Sequence, residues 1–511
     1  GAPIGMVLAE SIETARYAAQ FIEKECIQYE DLPAIITIEE AIKKTDPMPM
    51  VRTAKNEDED IQQRLPTITR DGSNMEWLEN PKNPMPGTEV VNGTFRTSSQ
   101  AHFYLESMCA LAVPGPYDQT TVYCSTQNPN GTQAAIARAL GIKNNQVSIV
   151  IEQVGGGFGG KQHRANITGA QAAVAARKAK KGVRLMYERS TDMQAVGKRH
   201  PYSGEYHVAY TRDGIIKGMR IDLNSDAGDT YDCTFAVMDS SLLNADQAYM
   251  IETLQANGKA YRTNKASNTA FRSFGVVQAW AIAENAIEHV AWKLTKDLGR
   301  KVSAEEIRYK NMYRNGTKDS WDMTHYGQEL DFCNIRDIWD ELYKSSEFEK
   351  RQKEVEEFNS KNRWQKRAIV MVPQKHGIGF TEPRGSLNSS SAMVTVNMAD
   401  ASVLVYHGGV EMGQGVNTKI AQLAANTLGI PLSMVRVGGN NTDTIPNAPA
   451  TAASTGFDLN GGAVEQACRV LRQRLENLCR DLEQFTPHNS IENWRSNWSE
   501  KWPEIVFKAW F

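Results

Sequence analysis

A chain of 511 residues with a formal net charge of -3 and a pI near 6.4 has material for roughly two to four domains with buried cores. Hydrophobic residues make up 41% and charged residues 23%, a soluble globular balance with no excess of basic charge to draw nucleic acid or an anionic membrane. No apolar run approaches the ~20 residues of a spanning helix, and neither an initiator Met nor a signal pattern opens the chain.

In chain order, "GAPIGMVLA" (1–9) reads as a strand. A helix follows with Ala15, Ala18, Phe21 and Ile22 at helical spacing, then a strand at "AIITIEEAI". Residues 57–89 are polar, hold several prolines and "RDGSN", and read as a linker. From 90 to about 340 runs an α/β stretch. "QVSIVIEQV" (146–154) is a buried-type strand, and "HVAYTRDGIIKGMRI" (207–221) is a hairpin turning at Asp213-Gly214. "AWAIAENAIEHVAWKL" is an amphipathic helix with Trp280, Ala283, Ile287, Val290 and Leu294 on one face. The charged run 345–367 reads as a solvated helix between lobes, and a second lobe opens near 368 with the hairpin "SAMVTVNMADASVLVYHGG". Both ends read as cut, so a fragment of a longer chain is expected. The seven cysteines are scattered, odd in number and without a C-x-x-C pair. They predict neither a zinc site nor a disulfide framework and lean towards a reducing, intracellular setting.

Four small-residue loops each lead into a helix: "GGGFGG" (155–160), "FRSFG" (271–275), "EMGQG" (411–415) and "TAASTGFDLNGG" (451–462). Glycine admits close backbone approach, and a helix start offers free N–H groups with partial positive charge. Four such loops suit one large ligand with several acceptor groups, gripped by both lobes. The first loop also fits the dinucleotide pattern G-x-G-x-x-G. Against that reading, Glu188 lies 28 residues past Gly160, where about 20 is expected for the ribose-binding acid. Phe158 also stands where a pyrophosphate needs room. From this loop alone a tight packing turn and a functional loop both stay open. Gln127, Gln162 and Gln414 sit in or beside the loops and can donate and accept without charge. Phe274 and Phe380 lie near loops and would make a slot for a flat ring. No Ser-His-Asp or Cys-His arrangement can be picked out from the chain and no H-E-x-x-H is written in it, so a cofactor would carry the hard chemistry.

The motifs "YEDLPAIITIEEAI", "QAHFYLE", "STQNPNGTQ", "VGGGFGGK", "SNTAFRSFG", "GGVEMGQGVNTK" and "ATAAS", in this order over nearly the whole chain, resemble the molybdenum hydroxylases of the xanthine dehydrogenase and aldehyde oxidase type. The resemblance is to their molybdopterin-binding region. It implies a mixed α/β (α+β) fold of several lobes: a partial α/β hammerhead domain with linker (1–88), a first lobe (89–344) and a second lobe (345–511). It implies that Gln127 hydrogen-bonds an oxygen on molybdenum. The backbone around Phe158, Arg272 and Ala453 would pack against the metal's ligands, with no side-chain ligand. Gly157, Phe158, Gly159, Gly413, Gln414, Thr451, Ala452, Ala453 and Ser454 would bind the pterin. Phe274 and Phe380 would sandwich a flat substrate beside Thr381.

The implied reaction hydroxylates an electron-poor C–H carbon with water-derived oxygen. The family's glutamate general base, in a G-E-P-P type motif, is not found in this chain. Its two-iron two-sulfur clusters and FAD are expected in parts N-terminal to this region. Xanthine-oxidising members carry a glutamate and an arginine at two pocket positions that here are Gln162 and Ser240. Losing both charges weakens purine binding and suits an aldehyde or another N-heterocycle. A xanthine dehydrogenase with an altered pocket is the alternative within the family. A pterin-binding or assembly scaffold without activity, and an NAD-binding enzyme, are the readings from other classes. A cytoplasmic homodimer is implied by the resemblance. The final electron acceptor, NAD or oxygen, belongs to the flavin part.

Overall fold

The computed structural model describes residues 3–46, 68–69, 75–230, 232–314, 324–330, 332–379, 387–483 and 497–510. Helix α1 (Ile12–Glu25) is capped by the Ser11 hydroxyl, and α2 (Ile38–Lys44) by that of Thr37, which accepts from Glu40 N and donates to its carboxylate. Strand β1 (Ile68–Thr69), helix α3 (Met75–Glu79) and strand β2 (Glu89–Thr97) follow. Then come β3 (Cys109–Pro114), β4 (Thr120–Cys124), α4 (Pro129–Leu140), β5 (Val147–Ile151), α5 (Ala165–Ala179), β6 (Val183–Met186) and α6 (Arg189–Ala195). The central stretch holds β7 (Tyr202–Tyr210), β8 (Ile216–Gly228), α7 (Thr234–Leu243), β9 (Thr253–Arg262), α8 (Val276–Leu298) and α9 (Ala304–Asn311). Helices α10 (Ile335–Ser345) and α11 (Phe348–Lys361) lead to β10 (Ala392–Val396), β11 (Val403–His407), α12 (Val416–Leu428), β12 (Val435–Val437), β13 (Asn440–Asn441), α13 (Gly456–Glu483) and α14 (Trp498–Trp510).

The described strands form three sheets, ordered β1-β9-β8-β7-β2, β13-β5-β4-β3-β6 and β10-β11-β12. Each builds a core by burying one face against helices. The first packs α8 through Ile282, Ala283, Ile287, Val290 and Leu294. The second packs the alanine-rich α5, where Ala172, Ala173 and Ala176 are fully buried and their small side chains bring helix and sheet close. The third packs α12, α13 and α14; Trp498 and Trp502 are buried there, and their indole N–H groups donate to Leu428 O and Ala401 O at 2.6 and 2.7 Å. Strand β13, far along the chain, pairs antiparallel with β5, so the second sheet is completed by a segment 289 residues downstream (Asn440 against Ile151). That pairing brings the late small-residue loops against the early ones. No helix among the described residues is long and apolar enough to cross a membrane.

The architecture is the expected mixed α+β arrangement, with four local corrections. Residues 3–9 form no strand, because no described strand lies beside them to share a ladder. "AIITIEEAI" does not form a strand: the Thr37–Glu40 cap turns residues 38–44 into helix. The stretch read as linker is partly packed, since Trp77 and Leu78 on α3 are buried against the first sheet. Finally, α13 begins at Gly456, so Gly461 and Gly462 lie inside the helix and not in its opening loop. The 207–221 hairpin, the strand within 146–154 and the 392–407 hairpin form as expected.

Candidate functional site

Gln127 lies in the turn between β4 and α4, where Asn128 caps the helix through Gly131 N. That cap fixes the chain direction and drives the Gln127 side chain inward, 3% exposed. Its Oε1 accepts from Gly159 N at 2.9 Å and Lys161 N at 3.2 Å, and its Nε2 donates to Thr451 O at 3.1 Å. Its backbone pairs with Lys161 O and Thr451 N, both at 2.9 Å. One neutral side chain thus bolts the first loop to the fourth. Glycine is required beside it: a Cβ on Gly157 would stand 2.6 Å from Gln127 Oε1. Gly159, at φ +100°, could accept no side chain without striking Ala270 O.

The second loop joins the first through Arg272 N, which donates to Phe158 O at 2.8 Å; the Arg272 side chain itself is exposed. Two residues hold this loop from behind. Arg199 donates to Arg272 O at 2.8 Å and to Ser273 Oγ at 3.2 Å, with its guanidinium 4.0 Å from the Phe271 ring centroid. His102 places Nε2 2.7 Å from Ala270 O and stacks on Phe271 at 4.3 Å. Burial pulls the His102 pKa down to about 4, so the ring is neutral and donates from Nε2. Lys161, wholly buried, is held by Glu106 at 2.7 Å and lies 4.5 Å over the Tyr104 ring. Burial nonetheless pushes the Lys161 pKa down. Glu106 Oε2 also accepts from Gly155 N at 2.9 Å, so this carboxylate closes the glycine loop at both ends.

The third loop meets the start of the first directly, and the fourth joins the third. Val154 N donates to Glu411 O at 2.9 Å, and Val410 N to Thr451 Oγ1 at 2.8 Å. The Glu411 carboxylate accepts from Gly413, Gly415 and Asn417 N–H groups at 2.9, 3.0 and 3.1 Å. Burial opposes its charge, but these bonds outweigh burial and lower its pKa. The start of α12 is therefore filled by the chain's own carboxylate. Gln414 folds back on the same loop, accepting from Met412 N at 2.6 Å and donating to Val410 O at 2.8 Å. Gly379 N donates to Ala453 O at 3.0 Å.

Non-glycine residues with left-handed backbone gather on these loops: Phe158 (φ 52°), Ser273 (75°), Phe274 (44°), Ala453 (52°) and Ser454 (59°). Such strain persists where the surroundings over-determine it and is common at ligand sites. Among the described residues no acceptor meets the backbone N–H groups of Gly157, Phe158, Ala453 and Ser454. These four donors, beside the second N–H of Gln127 Nε2, are what a ligand rich in oxygen or sulfur acceptors would need.

Of the expected pocket residues, Gln162 adjoins this ring, its N–H donating to Gly159 O at 3.2 Å. Phe274 is half-buried and packs on Cys233, Val237 and Ala270. Ser240 is buried on α7, one turn beyond Val237. Phe380 and Thr381 lie outside the described residues. Thr451, Ala452, Ala453, Gly413 and Gln414 occur on loops joined to Gln127 directly or through Thr451. Sequence reasoning assigned no role to Glu106, Lys161, His102, Arg199 and Glu411. Glu106, Lys161, His102 and Glu411 sit inside motifs that carried the resemblance; Arg199 had no local signal, because Arg272, whose carbonyl it holds, lies 73 residues away.

Two molybdopterin cofactor-binding domain families match this chain, over residues 76–312 and 341–511. The chain is 38% identical to a xanthine dehydrogenase of Dictyostelium discoideum, over 93% of this chain and 32% of that protein. It is 38% identical to a xanthine dehydrogenase/oxidase of Gallus gallus, over 96% and 33%. It therefore spans about a third of the length of the curated relatives it matches. Its fold matches quinoline 2-oxidoreductase from Pseudomonas putida 86, with TM-score 0.76 and 20% identity over 98% of this chain and 62% of that one. It also matches an aldehyde oxidoreductase from Desulfovibrio gigas, with TM-score 0.68 and 23% identity over 92% and 48%. By these likenesses, the chain belongs to the molybdenum hydroxylase family and represents its molybdopterin-binding region.

Proposed function

We propose that this chain forms the molybdopterin-binding part of a cytoplasmic, homodimeric hydroxylase, whose substrate is an aldehyde or a neutral N-heterocycle. The observation that carries the proposal is the set of loops joined around Gln127, with four backbone N–H groups that no acceptor meets among the described residues. When bound, the molybdenum cofactor supplies the redox centre that takes two electrons from substrate as water-derived oxygen is added. The chain's residues bind and orient. Gln127 would offer its remaining amide proton to the cofactor, while its other atoms keep the glycine loop closed. Phe158, Arg272 and Ala453 would line the metal with backbone, and Gly157, Gly159, Gly413, Thr451, Ala452 and Ser454 would hold the pterin. Gln414 would act by keeping its loop folded, since its amide is engaged there. Gln162 and Ser240 would offer a substrate neutral hydrogen bonds, with Phe274, Phe380 and Thr381 beside its ring. The iron–sulfur clusters and FAD would reside in other parts of the full protein.

The identity with curated xanthine dehydrogenases favours a second reading, a xanthine-oxidising enzyme with an altered purine pocket. Molybdenum and pterin content of the full-length protein, made in a host that synthesises the cofactor, tests the shared claim. About one molybdenum per chain is expected; a protein without metal and pterin overturns both readings and leaves a scaffold. Uric acid formation from xanthine, against acid formation from aldehydes, then separates the two.

A further inference from the structure

We infer that His163, Asp232 and Cys233, none of them assigned to the pterin, form a binding site for one transition-metal ion of zinc-like, borderline-soft character. No spacing motif announces it, because His163 and Cys233 stand 70 residues apart. The fold joins them. His163 closes the turn after the glycine loop, while Asp232 and Cys233 end the crossing from β8 to α7, with Cys233 as the N-terminal cap of α7.

The donor set is one imidazole nitrogen, one carboxylate oxygen and one thiol sulfur, all within 4.8 Å of one another. Ligand bonds of about 2.0–2.3 Å in a tetrahedral site require ligand–ligand separations of about 3.3–3.7 Å. His163 Nδ1 and Asp232 Oδ1 already stand at 3.2 Å, so closing the triad asks only a small side-chain shift. Asp232 carries a left-handed backbone (φ 41°) that sets its carboxylate beside the next residue's thiol. Mixed N, O and S ligation suits zinc and excludes magnesium and calcium, which demand oxygen.

The surroundings fit an exchangeable site. The Asp232 side chain is 4% exposed and that of His163 39%, so an ion would enter from the histidine side. Thr269 donates to Asp232 Oδ1 at 2.8 Å and orients it, as outer partners of metal-bound carboxylates do. Arg164 Nε stands 3.0 Å from Asp232 Oδ2, yet is not aligned for a hydrogen bond. This cation offsets the carboxylate and lowers affinity below that of a structural zinc site. With three protein ligands, the fourth position falls to water. Binding breaks the Cys233 S–H bond, forms a sulfur–metal bond and releases the proton to solvent, with no change of oxidation state. A bound ion would tie the end of the glycine loop to the start of α7, the two elements that carry Gln162 and Ser240.

Cobalt(II) is the probe. Full-length protein, stripped of adventitious divalent ions by a chelator and with its molybdenum content checked before and after, is titrated with Co²⁺. Cobalt-edge X-ray absorption then reads the site without interference from other metals. One Co²⁺ per chain is expected, with one sulfur among nitrogen and oxygen neighbours, displaced by Zn²⁺. Cys233→Ser should remove the sulfur signal, and His163→Ala should weaken binding at least tenfold. Absence of sulfur ligation, or a sulfur signal that survives Cys233→Ser, overturns the site. If Cys233→Ser fails to fold, unchanged Co²⁺ affinity in His163→Ala, a substitution at a side chain 39% exposed, overturns it equally.

Discussion

Replacing Gln127 by methionine keeps the side chain's length and removes all three of its amide hydrogen bonds. Two backbone donors, Gly159 N–H and Lys161 N–H, lose their acceptor, and Thr451 O loses a donor. Leaving a buried polar group unpaired costs about 1–3 kcal/mol, which corresponds to roughly a 5- to 150-fold rise in the open population at each amide. Native-state hydrogen exchange followed by mass spectrometry on peptides covering 152–164 measures this directly. Gln127→Met should accelerate exchange at Gly159 and Lys161 by at least about fivefold, with peptides from α8 unchanged. Gln127→Glu provides the internal comparison. A carboxylate still accepts from both N–H groups but has no proton for Thr451 O, so 152–164 should stay protected while 449–455 loosens. Wild-type exchange at Gly159 and Lys161 in Gln127→Met would refute the claim that this side chain closes the loop.

Other changes follow from the same geometry. Glu106→Gln leaves Lys161 as a wholly buried cation without its counter-charge; it should cost about 3 kcal/mol, read as a lower urea midpoint, whereas an unchanged midpoint would mean that the pair is already solvated. His102 and His200 are both held neutral by burial, at pKa about 4 against 6.5. The unfolded chain binds protons that the folded one does not between those values, so stability should fall as pH drops from about 6.5 to about 4, by up to about 3 kcal/mol for each ring. His102→Gln should flatten that slope in thermal midpoints taken across the range; an identical slope would reject the assignment. Gly462 lies within α13 with open space where a Cβ would stand. Gly462→Ala should therefore stabilise by about 0.5–1 kcal/mol, seen as a raised unfolding temperature, while a lowered one would point to crowding.

Much of the site was legible because its parts are contiguous in the chain. "GGGFGG", "EMGQG" and "TAAS" advertise close backbone approach by composition alone. Gln127 stood out as a polar residue at a strand end. What these loops touch was not legible. The Thr37–Glu40 pair could have been read as a helix cap, but the β-branched run "AIITI" around it outweighed that signal and suggested a strand. Arg199 had no local signature, and His102, though inside "QAHFYLE", carried no sign of its partner. They act on residues 168 and 73 positions away, and only folding sets that distance.

The sequence by itself determined the small-residue loops, the periodic helices and hairpins, and the family motifs that tie them to molybdopterin binding. Those are properties of neighbours in the chain: glycine's freedom at positive φ, apolar spacing and turn chemistry. Tertiary structure alone decided that Gln127 would spend its acceptor on the glycine loop and a donor on Thr451, 324 residues away. It likewise decided that Glu411 would fill the start of α12 and that Lys161 would be buried against Glu106. The reason is physical. A buried amide, carboxylate or ammonium takes whichever partner the packed sheets bring within about 3 Å, and sequence separation does not enter that choice.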